Sequence, residues 1–417
     1  MKSRPEKRVD FTADTAQRDM SLLFACRFFR MFAYGFVSVV LVLYLVSRGL
    51  SQAQVGLLLS LTLLGDTLIS LWMSTTADRL GRRRMLQAGA VLMLLAGIVF
   101  AWTPNFHVLL IAAIIGVLSP SGHEVGPFLS IEQASLSQIV PAHRRTHIFA
   151  WYNMAGSFAT ALGALSGGAF SQILQDAGLT PGVSYQAVVL AYAMVGLILA
   201  GLFAIVSPAV ETHTANTTSR ASGRFGLHQS RNVVLRLSAL FSLDAFAGGF
   251  VMQSIIAYWF HMRFGAEPAT LGGIFFAANI LAGISALLAA RLAGRIGLIR
   301  TMVFTHLPSN ILLFLVPLMP SLSLAVAVLL LRFTISQMDV PTRQSYVMAV
   351  VSPDERSAAA GITGVARSIG ASISPMLTVP LLANPVLFSV PFFLAGGLKI
   401  IYDLILFHSY RSSERTS

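Results

Sequence analysis

The chain reads as an all-α integral membrane protein, with twelve transmembrane helices in two pseudo-symmetric six-helix bundles. Three observations lead there. Of 417 residues, 55% are hydrophobic and only 11% charged, whereas a soluble domain carries about 25% charged residues. Apolar runs long enough to cross a bilayer recur twelve times. The second half of the chain also repeats features of the first at matching depths.

A bilayer core needs about 20 apolar residues per helix. Such runs lie near 21–47, 55–76, 85–103, 107–135, 147–173, 185–207, 233–260, 269–291, 301–319, 321–350, 356–381 and 385–408. Residues 1–20 are polar and mixed in charge, and they lack a short apolar core of their own. They predict a cytoplasmic tail, not a cleaved leader, so the first run stays as a span. The single cysteine, Cys26, lies inside that run, and one thiol makes no intrachain disulfide.

The net charge of +12 is distributed as membrane orientation requires. The odd-to-even turns, holding Arg48, Asp176, Arg263 and Glu267, have little positive charge. The even-to-odd turns hold Arg79 to Arg84, Arg144, Arg145, Arg220, Arg224, Arg231, Arg291, Arg295, Arg300 and Arg356. The positive-inside rule puts these turns and both termini in the cytoplasm, in an inner or plasma membrane. Arginines alternating with apolar spans do not make a nucleic-acid face.

The segment 208–232 is rich in Ser, Thr, Gly and Arg and reads as a cytoplasmic linker. It separates an N-terminal bundle, 21–207, from a C-terminal bundle, 233–408, with 409–417 as a second tail. The halves correspond. Arg30-Met-Phe-Ala-Tyr-Gly-Phe-Val of span 1 lies over Asp244-Ala-Phe-Ala-Gly-Gly-Phe-Val of span 7, and Tyr44 then falls on Tyr258 without a gap. Arg295, Gly297 and Arg300 echo Arg79, Gly81 and Arg84, and Pro141-Ala-His-Arg144 echoes Pro353-Asp-Glu-Arg356.

Between spans 2 and 3 stands Ser74-Thr-Thr-Ala-Asp-Arg-Leu-Gly-Arg-Arg-Arg-Met85. Asp78, Arg79, Gly81, Arg82 and Arg83 match the loop signature Gly-x-x-x-Asp-Arg-x-Gly-Arg-Arg, with Ser74 in place of the first glycine. The chain thus resembles the major facilitator superfamily, and the resemblance covers nearly its whole length. It implies two bundles rocking around a central cavity lined by spans 1, 4, 7 and 10. It also implies a monomer, since one chain holds the whole cavity. In the motif itself, Asp78 is expected to cap the positive end of a facing helix. Its arginines are expected to bridge to acids across the two bundles, latching one conformation.

Charges at mid-depth are costly and suggest function. Arg30 sits about 15 Å into span 1 at helical rise, and Asp244 is at equivalent depth in span 7. Span 4 supplies Glu132 and span 10 supplies Arg343, so Arg30 is expected to pair with Glu132, and Asp244 with Arg343. Exchange of these partners with substrate or a proton would drive a cycle; two static salt bridges tying helices together are the alternative. Asp66 of span 2 has no evident partner and reads either as a proton site or as a helix–helix hydrogen bond. In span 4, Ser119-Pro-Ser-Gly-His-Glu-Val-Gly-Pro127 loosens the helix. His123 and Glu124 there belong either to a coupling site or to the outer mouth, and Asp339 with Pro341 echoes them in span 10. Arg27 is expected to snorkel to the cytoplasmic face.

Gly163, Gly167 and Gly168 of span 5 are similar to the Gly-Pro-x-x-Gly-Gly motif of proton-driven drug exporters, with Ala164 where the proline belongs. Close helix packing also accounts for glycines. Lysine occurs only at 2, 7 and 399, so no phosphate-binding Gly-Lys loop exists. His143 and His147 adjoin two arginines, a poor metal site, and no catalytic triad is readable. The expectation is therefore no enzyme, no metal and no cofactor. The sequence predicts a secondary carrier of a small polar or anionic molecule, coupled to protons and exporting. An uptake symporter or exchanger for an organic anion is the alternative, and a lipid flippase or a non-transporting receptor is the reading from another class.

Overall fold

A computed structural model describes residues 13–124, 126–141, 144–211 and 227–410. Most of the expected linker, residues 1–12 and 411–417 of the expected tails, and His143 lie outside the described residues. No strand occurs among those described, and 84% of the structure is helix.

Helices start and stop where local chemistry dictates. Span 1 is α1 (Ala13–Ser38) followed by α2 (Leu41–Ser47). Ser51 then opens span 2, α3 (Gln52–Leu80), with a reciprocal cap. Its hydroxyl accepts from the Gln54 amide at 3.3 Å while the Gln54 side chain accepts from the Ser51 amide at 2.9 Å. This satisfies two amides that a helix start leaves open. Gly81, at φ +100°, turns the chain into span 3, α4 (Arg82–Trp102). Gly297, at φ +90°, makes the equivalent turn between span 8, α11 (Pro268–Ile296), and span 9, α12 (Leu298–Leu315). Only glycine adopts that backbone readily, so the repeat shows in the backbone as well as in the letters.

Spans 4 and 10 depart from the expected continuous helices. Span 4 is α5 (Phe106–Ile115) and α6 (Phe128–Ile139), separated by a stretch, 116–127, whose described residues are not helical. Two prolines there withdraw backbone bonds, and Gly122 and Gly126 take positive φ. Protein groups replace what the helix lost. The Ser119 hydroxyl donates to the His123 carbonyl at 2.7 Å, the Tyr192 hydroxyl donates to the Val117 carbonyl, and the Gly126 amide donates to Asp66 at 2.5 Å. Span 10 is α13 (Leu322–Phe333) and α14 (Asp339–Val350), with turns at 334–338. Span 7 is likewise divided, into α9 (Arg231–Gly249) and α10 (Gln253–Phe264), close to the position at which span 1 divides. Irregular backbone at membrane depth survives only beside protein or a wet cavity. Each of these breaks meets that condition.

The remaining spans are α7 (Arg145–Asp176), α8 (Pro181–Ile205), α15 (Arg356–Leu381) and α16 (Val390–Tyr410). Within the halves, α1 packs on α7 and α4 on α8, as α9 packs on α15 and α12 on α16. Between the halves, α7 meets α11 and α3 meets α15. A Cβ at Gly163 would stand 2.0 Å from the Phe32 carbonyl oxygen, and at Gly167 2.1 Å from that of Phe36. At Gly168 it would stand 2.2 Å from the Pro268 carbonyl oxygen, across the interface between the halves. These glycines let backbones touch. Spans 5 and 11 give up apolar bulk for this contact. Both fall outside the eight helices that length and hydropathy alone identify as spans among the described residues.

Trp72, Leu95, Ile173, Leu287 and Leu404 are exposed on the outer surface. Large apolar side chains facing outward from many helices fit lipid rather than water.

Candidate substrate cavity

The halves close on each other at one end and part at the other. Gln253 donates to the Ser38 hydroxyl at 2.8 Å, the Ser254 amide to the Pro120 carbonyl at 3.3 Å and the Met376 amide to the Ser60 hydroxyl at 2.9 Å. These contacts lie toward the end opposite Asp78–Arg84. Between the halves lies a cavity of about 520 Å³.

In the N-terminal half, Arg30 and Glu132 form a two-pronged pair with both bonds at 2.6 Å and neither side chain exposed. The Tyr152 hydroxyl donates to the same carboxylate. The third nitrogen of Arg30 reaches Glu124 at 2.9 Å, and Arg27 binds the other oxygen of Glu124. Arg30 also lies 4.6 Å from the centre of the Phe128 ring, a cation–π contact. Arg27 therefore does not snorkel: it is buried, over the Tyr152 ring at 4.8 Å. The break in span 4 turns Glu124 inward, so an acid that could have met the outer mouth meets two arginines. Two cations and two carboxylates balance here. Arg30, Glu132, Glu124 and Asp66 are not among the residues lining the cavity; Arg30, Arg27, Glu132 and Glu124 saturate one another. Asp66 makes the helix-to-loop hydrogen bond with Gly126.

The C-terminal half is unbalanced. Asp244 of α9 receives Lys399 Nζ at 2.6 Å on one oxygen, and Arg343 at 3.1 Å and Arg367 at 3.0 Å on the other. Arg343 also binds Asp339 at 2.7 Å, one turn away on α14. His306 lies 3.8 Å from Asp244 and 2.9 Å from Asp403, whose second oxygen accepts from Asn310 at 3.0 Å. Arg332, at the end of α13, completes the cluster over the Phe333 ring. With His306 neutral, four cations (Arg332, Arg343, Arg367 and Lys399) face three carboxylates (Asp244, Asp339 and Asp403), which leaves one positive charge over. All four cations line the cavity, with Asp244, Asp339, His123 and His306. The buried Arg332 Nε and Ser336 hydroxyl, on the same wall, have no hydrogen-bond partner. Orphaned polar atoms of this kind are costly, and both belong to residues that line the cavity.

Sequence reasoning found Asp244, Arg343, Asp339 and His123 but missed Arg332, Arg367, His306, Asp403 and Lys399. Each is a charged or titratable residue inside an apolar run, the signal that singled out Arg30. The same signal stands at Arg332 in span 10 and in spans 9, 11 and 12.

Arg82 and Arg83 of the motif bind within their own half. Arg82 donates to Asp78 at 2.8 Å, to Gln138 at 2.9 Å and to the Val210 carbonyl at 3.2 Å, and Arg83 donates to the Ala204 carbonyl. At the start of α4, the Arg82 and Arg83 amides both donate to Glu211, at 2.6 and 3.2 Å. The acid on that helix start is therefore Glu211. These partners of Arg82 and Arg83 are not the acids across the bundles that the motif led us to expect, because the halves part at this end.

A model of the Major Facilitator Superfamily matches residues 23–375. The uncharacterized membrane protein YJR124C of Saccharomyces cerevisiae is 31% identical over 431 residues, which cover 96% of each chain. Quinolone resistance protein NorA of Staphylococcus aureus is 28% identical over 139 residues, 33% of this chain and 34% of its own. A crystal structure of a bacterial homolog of the human lysosomal transporter Spinster, inward-facing and unoccupied, superposes with a TM-score of 0.70 at 15% identity, over 95% of each chain. The membrane-spanning helices, the paired halves and the near full-length family match place this chain in the Major Facilitator Superfamily, as a transporter rather than an enzyme.

Proposed function

We propose that the protein is a proton-coupled carrier of a small organic anion, working as a monomer by alternating access in an inner or plasma membrane. Its arginine-rich turns and both termini lie in the cytoplasm, so the cavity described here opens inward. The observation that carries this reading is the surplus cation around Asp244, with an unpartnered Arg332 Nε on the same wall. An entering carboxylate, sulfonate or phosphate displaces Asp244 from Arg343, Arg367 and Lys399 and takes over their hydrogen bonds, which are the strong, charge-assisted kind. Asp244 thus acts as an internal stand-in for substrate, holding the cations together while the cavity is empty.

Proton and anion then favour one another. Any proton that joins this cluster adds positive charge and strengthens its hold on an anion, and by linkage the anion strengthens its hold on the proton. That arrangement supports cotransport in one direction. Export by proton antiport is the second reading. It is supported by the partial likeness to NorA, while the glycines that also pointed to it are accounted for by packing.

The test uses purified protein in liposomes with a trapped pH dye. Monocarboxylates, dicarboxylates, sulfonates and cationic drugs are added outside, one at a time. Acidification of the lumen with an anion, absent in Asp244→Asn, is the expected result. Alkalinisation with the same anion turns the assignment to antiport. Flux with cationic drugs alone overturns the anion reading.

A further inference from the structure

We propose that His306, oriented by Asp403, is the group that carries the coupled proton. The inference rests on the anion-carrier reading above and adds the seat of the proton to it.

Geometry sets the tautomer. His306 Nδ1 lies 2.9 Å from Asp403 Oδ1 and 3.3 Å from Asn310 Nδ2; the carboxylate, which only accepts, is the nearer partner, so we assign the hydrogen to Nδ1. Asn310 holds the other oxygen of Asp403 at 3.0 Å, which fixes the carboxylate as an orienting group. In neutral His306 the lone pair then sits on Nε2. That atom faces Asp244 Oδ1 across 3.8 Å, so two acceptors oppose each other with no hydrogen between them. A proton fits that gap and nowhere else in the cluster so simply. Asp244 itself has Lys399 on one oxygen and two arginines on the other, so protonating it breaks an ion pair. His306 is on the cavity wall, within reach of cavity water.

The groups facing the ring are Asp244 from α9, Asp403, Lys399 and Tyr402 from α16, and Asn310 from its own helix; the Tyr402 ring stands edge-on at 6.1 Å. Arg343 and Arg367 approach from behind Asp244. A proton from cavity water adds to Nε2, and the Nδ1–H bond to Asp403 is kept. The new Nε2–H turns toward Asp244 and draws it off Arg343, Arg367 and Lys399. Those cations are then open to the anion. On release at the other face the proton returns to water, and Asp244 goes back to its cations. Asp403 is a positioning residue, since it acts only through His306.

The experiment uses the full chain in nanodiscs with ¹⁵N-histidine, and His306→Gln identifies the signal by difference. A ring protonated on Nδ1 alone at the alkaline end, and doubly protonated at the acid end of the range over which the protein stays folded, is the expected result. Asp403→Asn should abolish the preference for Nδ1. A ring that stays in one protonation state over that range, or carries its neutral hydrogen on Nε2, overturns the proposal. In liposomes, the ratio of benzoate uptake from acidic and neutral media, after subtraction of uptake by protein-free liposomes, should fall toward unity in His306→Gln, and an undiminished ratio also overturns it. Native protein that moves no benzoate counts against the anion reading alone, because the spectroscopic titration needs no substrate.

Discussion

Arg30 and Glu132 join spans 1 and 4 through two parallel hydrogen bonds of 2.6 Å, with both side chains wholly out of solvent. Removing one partner of a buried pair leaves the other charged and unpaired, at a cost of about 3–5 kcal/mol. Glu124 still holds one nitrogen of Arg30, so we expect Glu132→Gln to cost the lower end, about 3 kcal/mol. Thermal unfolding in detergent measures this. Full stability of Glu132→Gln would show that Glu124 alone satisfies Arg30.

Lys399 and Arg332 lie on the cavity wall; the mechanism above gives Lys399 a hydrogen bond to the anion, and Arg332, whose Nε has no partner, is expected to supply another. A hydrogen bond to a charged group contributes about 1.5–3 kcal/mol. Lys399→Met or Arg332→Met should therefore raise the half-saturating anion concentration about tenfold to a hundredfold, at about 1.4 kcal/mol per tenfold. Uptake kinetics in liposomes read the change directly. A lost maximal rate with unchanged half-saturation would place these residues in the conformational change instead.

The pairing of Arg30 with Glu132 and of Asp244 with Arg343 was legible because the repeat fixes relative depth, and opposite charges at one depth find each other. The rest of the site was harder to see for physical reasons. Arg367, Lys399, His306 and Asp403 lie on spans outside the four expected to line the cavity, yet their side chains converge on Asp244. Glu124 was undecidable because prolines and glycines say that a helix loosens but not where the loosened chain points. The twelve spans were visible as apolar runs. The breaks in spans 1 and 7 were not, since Phe250-Val-Met reads as continuous apolar helix.

Glu211 accepts from the Arg82 and Arg83 amides at the first turn of α4. Loss of a helix N-terminal acceptor costs about 0.5–2 kcal/mol. Glu211→Ala should speed hydrogen exchange at the Arg82 and Arg83 amides about twofold to thirtyfold if that cost falls on local opening. Exchange measured by mass spectrometry on this peptide tests it, with the Ser51–Gln54 start of α3 as an internal reference. Equal exchange in both proteins would return the capping role to Asp78.

Gly168 touches the Pro268 carbonyl and Gly272 across the halves, on the closed end. A Cβ there, 2.2 Å from a backbone oxygen, forces spans 5 and 8 apart. Gly168→Ala should shift the population toward states open at that end. Spin labels on cysteines at Arg48 and Glu267, in a Cys26→Ser background, would show a longer distance. An unchanged distance distribution means the two helices slide without opening, and the contact is then no part of the gate.

Near the start of span 7, outside the membrane, Glu355 gathers the amides of His228, Gln229 and Ser230. Burial pushes the pKa of its carboxyl up, but the His228 amide, the Ser230 hydroxyl and amide and the Gln229 amide outweigh that and hold it at about 2. His228 in turn binds Asp354 at 2.7 Å. That hydrogen bond, opposed by desolvation and aided by both acids' charge, raises its pKa above the usual 6.5. The signs differ. A raised histidine pKa gives stability that is full below 6.5 and is lost as pH rises through the folded value. A depressed carboxyl pKa gives stability that is full above the unfolded value of 4.5 and is lost only as pH falls toward 2. The thermal midpoint lost in His228→Gln should accordingly be larger at about pH 6 than at about pH 8.5, whereas the loss in Glu355→Gln should change far less between them, since its charge aids His228 less than the Asp354 hydrogen bond does. A Glu355→Gln deficit that shrinks toward pH 8.5 as much as the His228→Gln deficit would mean that the carboxylate stabilises this junction through protonated His228 rather than through the three amides.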